Sequence, residues 1–125
     1  MMRIALVLPG LTESNLKLAK QMGVTDIVSG VPAAMRGDPV QEFRALLALK
    51  QKVDDAGLTL SVIEGGMGVS DRIKLGLPGR DEDIEKWCVS LKTIGAVGIP
   101  IICYNWMAIF NWMRTSFTTR VRGGA

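Results

Sequence analysis

The chain has 125 residues, 48% apolar and 22% charged, the balance of one globular domain able to bury a core of its own. Its formal net charge is only +3, with acids and bases interspersed, which excludes the basic stripe of a nucleic-acid binder. The sequence contains no histidine, so the commonest transition-metal ligand and the usual general base near neutral pH are missing from these residues.

A first strand is expected over residues 3–8, where Arg3 leads into Ile4-Ala-Leu-Val-Leu8. Pro9-Gly10 follows at once, with no small-x-small cleavage site, so this apolar start does not read as a secretory signal. Thr12 or Ser14 can cap the next helix, in which Leu16, Ala19 and Met22 recur at helical spacing and Gly23 supplies the stop. A second strand is expected at 24–28, leaving through Ser29-Gly30 into a Pro- and Gly-rich loop.

A longer helix runs from Pro39 or Val40 to Ala56, with Pro39 suited to a first helical position. Phe43, Leu46, Leu47 and Val53 share its apolar face, and Gly57 ends it. The third strand is expected at 58–63, with Glu64-Gly65-Gly66 at its far end. Residues 65–80 read as one long loop, of the length that carries function or disorder.

Asp81 is expected to cap a third helix, with acidic residues in its first turn and an apolar stripe of Ile84, Trp87, Cys88, Leu91 and Ile94. Gly98 closes it and a fourth strand follows at 99–104. No charge occurs between Lys92 and Arg114, but Gly95, Gly98, Pro100, Tyr104, Asn105 and Asn111 interrupt that stretch, and a membrane span is not expected. Cys88 and Cys103 are expected to be buried, reduced thiols of a cytoplasmic protein.

Gly23, Gly57 and Gly98 each join a helix directly to an apolar strand, at intervals of 34 and 41 residues. That is the repeat of a βα unit, and such units give parallel strands with right-handed crossovers. Four of them can build a small open doubly wound sheet. They can equally build the N-terminal half of a (β/α)8 TIM barrel, which typically takes about 250 residues. The sequence ends at Arg122-Gly-Gly-Ala125 without a fourth helix to cover the fourth strand, which suggests a single incomplete domain over 1–125.

In parallel α/β folds, ligands bind beyond the carboxyl ends of the strands. The candidate binding residues are therefore Glu64 after the third strand, Asn105 and Trp106 after the fourth, and Arg114 and Thr115 further along. Glu64 can serve as base or ligand, or as an ordinary solvated carboxylate. Arg114 can grip a carboxylate through its planar fork, or be a surface charge. Asn105 can orient a hydroxyl or satisfy a turn. Trp106 and Trp112 can wall a sugar or belong to the core. Neither phosphate-loop pattern occurs, nor does a Ser-His, Cys-His or metal-spaced cluster, so no catalytic group is assigned.

Three motifs carry a family likeness. Asp71-Arg-Ile-Lys-Leu-Gly-Leu-Pro-Gly-Arg-Asp-Glu82 resembles the IKLGLPxRDE stretch of mannonate dehydratases. Cys103-Tyr-Asn-Trp-Met107 resembles their CYNFM, and Trp112-Met-Arg-Thr-Ser116 is similar to their W-T-R-T segment. The strand Ser61-Val-Ile-Glu64 also fits, and the likeness runs from about residue 24 onward. Trp106 stands where the family usually has phenylalanine, and Met113 where it has threonine.

The resemblance implies a (β/α)8 hydro-lyase that converts D-mannonate to 2-keto-3-deoxy-D-gluconate in hexuronate (glucuronate) catabolism. It also implies a sugar-acid substrate, a homo-oligomer, and Mn²⁺ or Fe²⁺, with Mg²⁺ also considered. The family's histidine, cysteine and aspartate ligands lie in the second half of the barrel and have no counterpart here, and Cys103 belongs to the strand motif. This chain alone is therefore expected to bind no metal and to be inactive. The alternatives are a non-catalytic half-barrel that binds a ligand or dimerises, and another sugar-isomerase-like TIM barrel.

Overall fold

Three helices end in one way, and that ending sets where the following strands begin. The computed structural model describes residues 2–33, 38–65, 69–109, 113–120 and 122. In chain order the elements are β1 (Ala5–Val7), α1 (Glu13–Gln21), β2 (Asp26–Ser29), α2 (Pro39–Asp55), β3 (Thr59–Glu64), α3 (Asp71–Leu75), α4 (Arg80–Ala96) and β4 (Ile101–Cys103).

After α1, α2 and α4 the chain passes through Gly23, Gly57 and Gly98 at φ of 81°, 70° and 85°, a backbone region that side chains other than glycine rarely adopt. The next residue turns its N–H back to the helix. Val24 donates to the carbonyl of Ala19 at 3.1 Å, Leu58 to that of Val53 at 3.2 Å, and Ile99 to that of Ile94 at 3.2 Å. This is the Schellman ending, which pairs an apolar residue beyond the glycine with one in the last helical turn. All six of those residues are buried.

The same geometry corrects the expected strand limits. Val24, Leu58 and Ile99 finish the helix ends, so the paired strands start later. The expected strand at 24–28 lies at 26–29, that at 58–63 at 59–64, and that at 99–104 at 101–103. The expected strand over 3–8 is paired only at 5–7.

The four strands form one parallel sheet in the order β1-β2-β3-β4. A doubly wound sheet needs a reversal of strand order. Here each right-handed crossover steps in the same direction, which carries α1, α2 and α4 to one face. On that face Leu6, Ile27, Leu60, Ile63 and Ile102 meet Leu16 and Ala19 of α1, Leu46 and Val53 of α2, and Ile94 of α4.

Side chains alternate along a strand, so the neighbours of these residues point the other way. The register aligns Val7 with Val28, Val28 with Val62, and Val62 with Ile101. This apolar row crosses all four strands on the face without helices. At its ends Val7 is 59% exposed and Ile101 52%. It is the inner face of a barrel wall, seen from the inside.

Several expected burials are not found. Met22 is the C-cap of α1 and is exposed. Phe43 and Leu47 flank the strip of α2 that touches the sheet, which is made by Leu46, Leu49 and Val53. Both thiols are free and exposed rather than buried. Cys103 ends an edge strand on the uncovered face, and Cys88 lies on the solvent side of α4.

At the amino end of the sheet one carboxylate ties three strands together. Asp26 is 2% exposed. Its Oδ2 accepts from Arg3 Nε at 2.9 Å and from Thr25 Oγ1 at 2.6 Å. Its Oδ1 accepts from Arg3 Nη2 and from Ser61 Oγ. Ser61 sits where the β2–β3 register shifts by one residue. Burial by itself would raise the Asp26 pKa, but the bonds from Arg3, Ser61 and Thr25 outweigh it and hold the value at about 2, below the ordinary 3.8.

Asp26→Asn keeps the shape and removes the charge. It is expected to lower stability by about 1.5–3 kcal/mol near neutral pH, read from urea midpoints. Because the folded pKa is depressed, the parent's advantage should be complete above about pH 4 and fade as pH falls towards 2. An advantage that persists unchanged at pH 2 would show that the charge plays no part.

Candidate functional site at the carboxyl ends of the strands

Glu64 is the last residue of β3, and its register partner is Cys103, the last of β4. By alternation both share the uncovered face with Val62 and Ile101. Glu64 is exposed, and the chain turns away from it at Gly65. Beyond β4 the chain continues through Tyr104, Asn105 and Trp106, all exposed, with Trp106 at 55%. The structure therefore places Glu64, Asn105 and Trp106 at one end of the sheet.

Between β3 and β4 the expected loop contains a helix. Ser70 is the N-cap of α3 and accepts from Ile73 N at 3.4 Å. Its Oγ also donates to Asp83 Oδ2 at 2.7 Å, which fastens α3 to α4. Gly79, not Asp81, is the N-cap of α4, and it offers no side-chain bond. Asp81, Glu82 and Asp83 occupy the first turn, where the helix dipole favours negative charge. A capping serine followed by one helical turn was legible in Ser70–Leu75, but the glycines around it masked the signal.

The segment docks on the β4 exit. Val69 and Ile73 join Ile84 and Trp87 of α4, and Tyr104 and Trp106 of the exit loop, around a hollow of about 100 Å³. Trp87 and Tyr104 meet edge to face, with centroids 5.6 Å apart and planes at 74°. This explains why the expected stripe of α4 is not one core face. Ile94 reaches the sheet core, whereas Ile84 and Trp87 turn towards α3 and the loop. Lys74 donates from Nζ to the carbonyl of Met107 at 2.9 Å.

Arg114 and Thr115 are exposed. The Arg114 guanidinium lies 5.5 Å from the centroid of Phe117, a cation–π arrangement. Among the described residues, neither Arg114 nor Thr115 is hydrogen-bonded to Glu64 or Asn105. Trp112 lies outside the described residues. A second hollow, of about 360 Å³, opens beyond β1 and β2 and is lined by Val7, Leu8, Leu11, Val28, Ser29 and Val31 among others.

The donors at this end, among the described residues, do not suit a divalent metal. Among the described residues no three histidine, cysteine, aspartate or glutamate side chains come together. Glu64 and Cys103 alone leave most of a coordination shell unfilled. No helix among the described residues is long and apolar enough to cross a membrane.

A family model described as D-mannonate dehydratase matches residues 2–125. The chain belongs to the D-mannonate dehydratase family. The mannonate dehydratase of Thermotoga maritima is 40% identical over 101 residues, covering 78% of this chain and 28% of that protein. That of Streptococcus pneumoniae strain 70585 is 42% identical over 91 residues, covering 70% and 25%. The crystal structure of mannonate dehydratase from Streptococcus suis serotype 2 superposes with a TM-score of 0.80 at 32% identity. That match covers 98% of this chain and 35% of the other. The chain thus spans about a quarter of the curated relatives and about a third of the solved one. Membership in this family sets aside the sugar-isomerase-like alternative. It also accords with four parallel strands whose helices lie on one face.

Tyr104→Ala removes the edge-to-face pair. It is expected to cost about 0.5–1.5 kcal/mol beyond lost packing and to reduce the near-ultraviolet circular dichroism of the aromatic cluster. An unchanged aromatic spectrum would contradict the pairing.

Proposed function

We propose that this chain supplies the first four strands, and part of the substrate wall, of a D-mannonate dehydratase. The observation that carries this is the family match over residues 2–125, which includes every strand end described above. Residues 1–125 then form one unit of a (β/α)8 barrel whose remaining strands cover the row from Val7 to Ile101.

The reaction removes the proton beside the carboxylate of D-mannonate and expels the hydroxyl on the next carbon as water. The resulting enol tautomerises to 2-keto-3-deoxy-D-gluconate. Glu64, Asn105 and Trp106 are suited to line the sugar chain from the sheet end. Arg114, with Thr115 beside it, is suited to hold the substrate carboxylate through its two parallel N–H donors. The catalytic base is not assigned to any of them. The Mn²⁺ or Fe²⁺ that the family resemblance implies finds no ligand set among the described residues, so its site draws on other parts of the barrel. Two exposed, free thiols suit a reducing cytoplasm, and a sugar-acid breakdown pathway belongs there. We read the whole enzyme as a homo-oligomer without nucleic-acid or membrane partners.

The purified 125-residue chain, given D-mannonate and Mn²⁺, is expected to release no keto acid. Grafted in place of the matching segment of the Streptococcus suis relative, it is expected to restore dehydration. In that chimera Arg114→Ala should lower kcat/KM by about tenfold or more, the loss expected for one charge-assisted bidentate contact. A folded chimera that makes no keto acid would refute the reading.

A second reading is favoured by the uncovered row and the two open edges, β1 and β4. Two copies could place β4 of each beside β1 of the other and close eight parallel strands around the apolar row. Sedimentation velocity would then show a discrete dimer, abolished by Ile101→Lys. Polydisperse aggregates would reject this reading.

A further inference from the structure

Residues 104–109, which leave β4, carry the candidate site residues Asn105 and Trp106 but form no regular element. Among the described residues, no backbone hydrogen bond ties this loop to another element. A loop without such bonds is free to move, and a binding wall must hold its geometry closely. A side-chain bond reaches the loop from outside it, from Lys74 Nζ to the Met107 carbonyl at 2.9 Å.

Lys74 is built for that bond. Its side chain is only 12% exposed, unusual for lysine, and Asp71 Oδ1 stands 3.8 Å from Nζ on the same short helix. The helix is itself anchored, through the Ser70–Asp83 bond to α4 and through Val69 and Ile73 against Tyr104 and Trp106. A largely buried ammonium aimed at a backbone carbonyl makes a charge-assisted bond in a partly dry setting, where such bonds are strong.

We propose that Lys74 is a positioning residue, the brace by which the α3 segment holds the β4 exit loop, and with it Asn105 and Trp106, in the shape that the substrate wall requires. The purpose of the brace rests on the dehydratase reading above. Its existence does not, and the measurements below involve no turnover, so the two can fail separately.

The test compares Lys74→Met, which keeps the stem and removes the donor, with Lys74→Arg, which keeps donors. Chymotrypsin can cut after Tyr104 or Trp106. Lys74→Met is expected to be cut there about tenfold faster than the parent, with the urea midpoint little changed, whereas Lys74→Arg keeps the parent's rate. Equal cleavage of Lys74→Met and the parent overturns the proposal. So does faster cleavage that merely tracks an equal loss of global stability. Should Lys74→Met fail to fold, reductive methylation of the unaltered chain decides. Lys74 is expected to react about tenfold more slowly than Lys86, whose side chain is 71% exposed. Equal reactivity overturns the proposal.

Discussion

The structure depends on three buried joints. Each sets an apolar residue just past a helix against one in the final turn: Ala19 with Val24, Val53 with Leu58, Ile94 with Ile99. The hydrogen bond across each joint fixes the direction in which the chain leaves the helix. The apolar pair keeps that exit under the helix rather than out in solvent. Once the exits point the same way, strands entering the sheet are parallel and take sequential places. Their order and handedness then send α1, α2 and α4 to a single face.

That one-sidedness has a cost. A parallel sheet is normally covered on both faces, yet here Val7, Val28, Val62 and Ile101 line up with no helix over them. Burial of such a row is worth about 25 cal/mol per Å² of apolar surface removed from water, so an uncovered face of this kind is a drive towards closure. In a barrel, closure comes from the strands that complete the ring. The polar knot around Asp26 closes the amino end of the same face, while Glu64 and Cys103 open the carboxyl end. The hydrogen-bonded knot and the candidate site thus lie at opposite ends of the sheet.

At the carboxyl end the exit loop of β4 packs against a short helix. Instead of lengthening β4, the chain spends residues 69–79 on a short helix that leans against both α4 and the exit loop. Aromatic packing of Trp87 on Tyr104 and the bond from Lys74 converge on the few residues that carry the family's strand-end motif. The motif of residues 71–82 and that of residues 103–107 are far apart in sequence, and the fold makes them one packed unit.

The βα repeat, the glycine stops, the parallel strands, the cap at Thr12 and the first-turn proline at Pro39 were all legible in the sequence, because each depends on neighbours a few residues away. The family motifs were legible for the same reason, as contiguous runs. Three things were decided only by tertiary structure. The choice between an open sheet and a barrel wall rests on strand order, which no local pattern encodes. The exposure of Cys88, Cys103, Phe43 and Leu47 depends on which part of an apolar stripe meets the sheet and on which face lacks helices. The place of Lys74 depends on a bond 33 residues long in sequence, between two segments that have no reason to meet until α4 folds back and brings β4 beside β3.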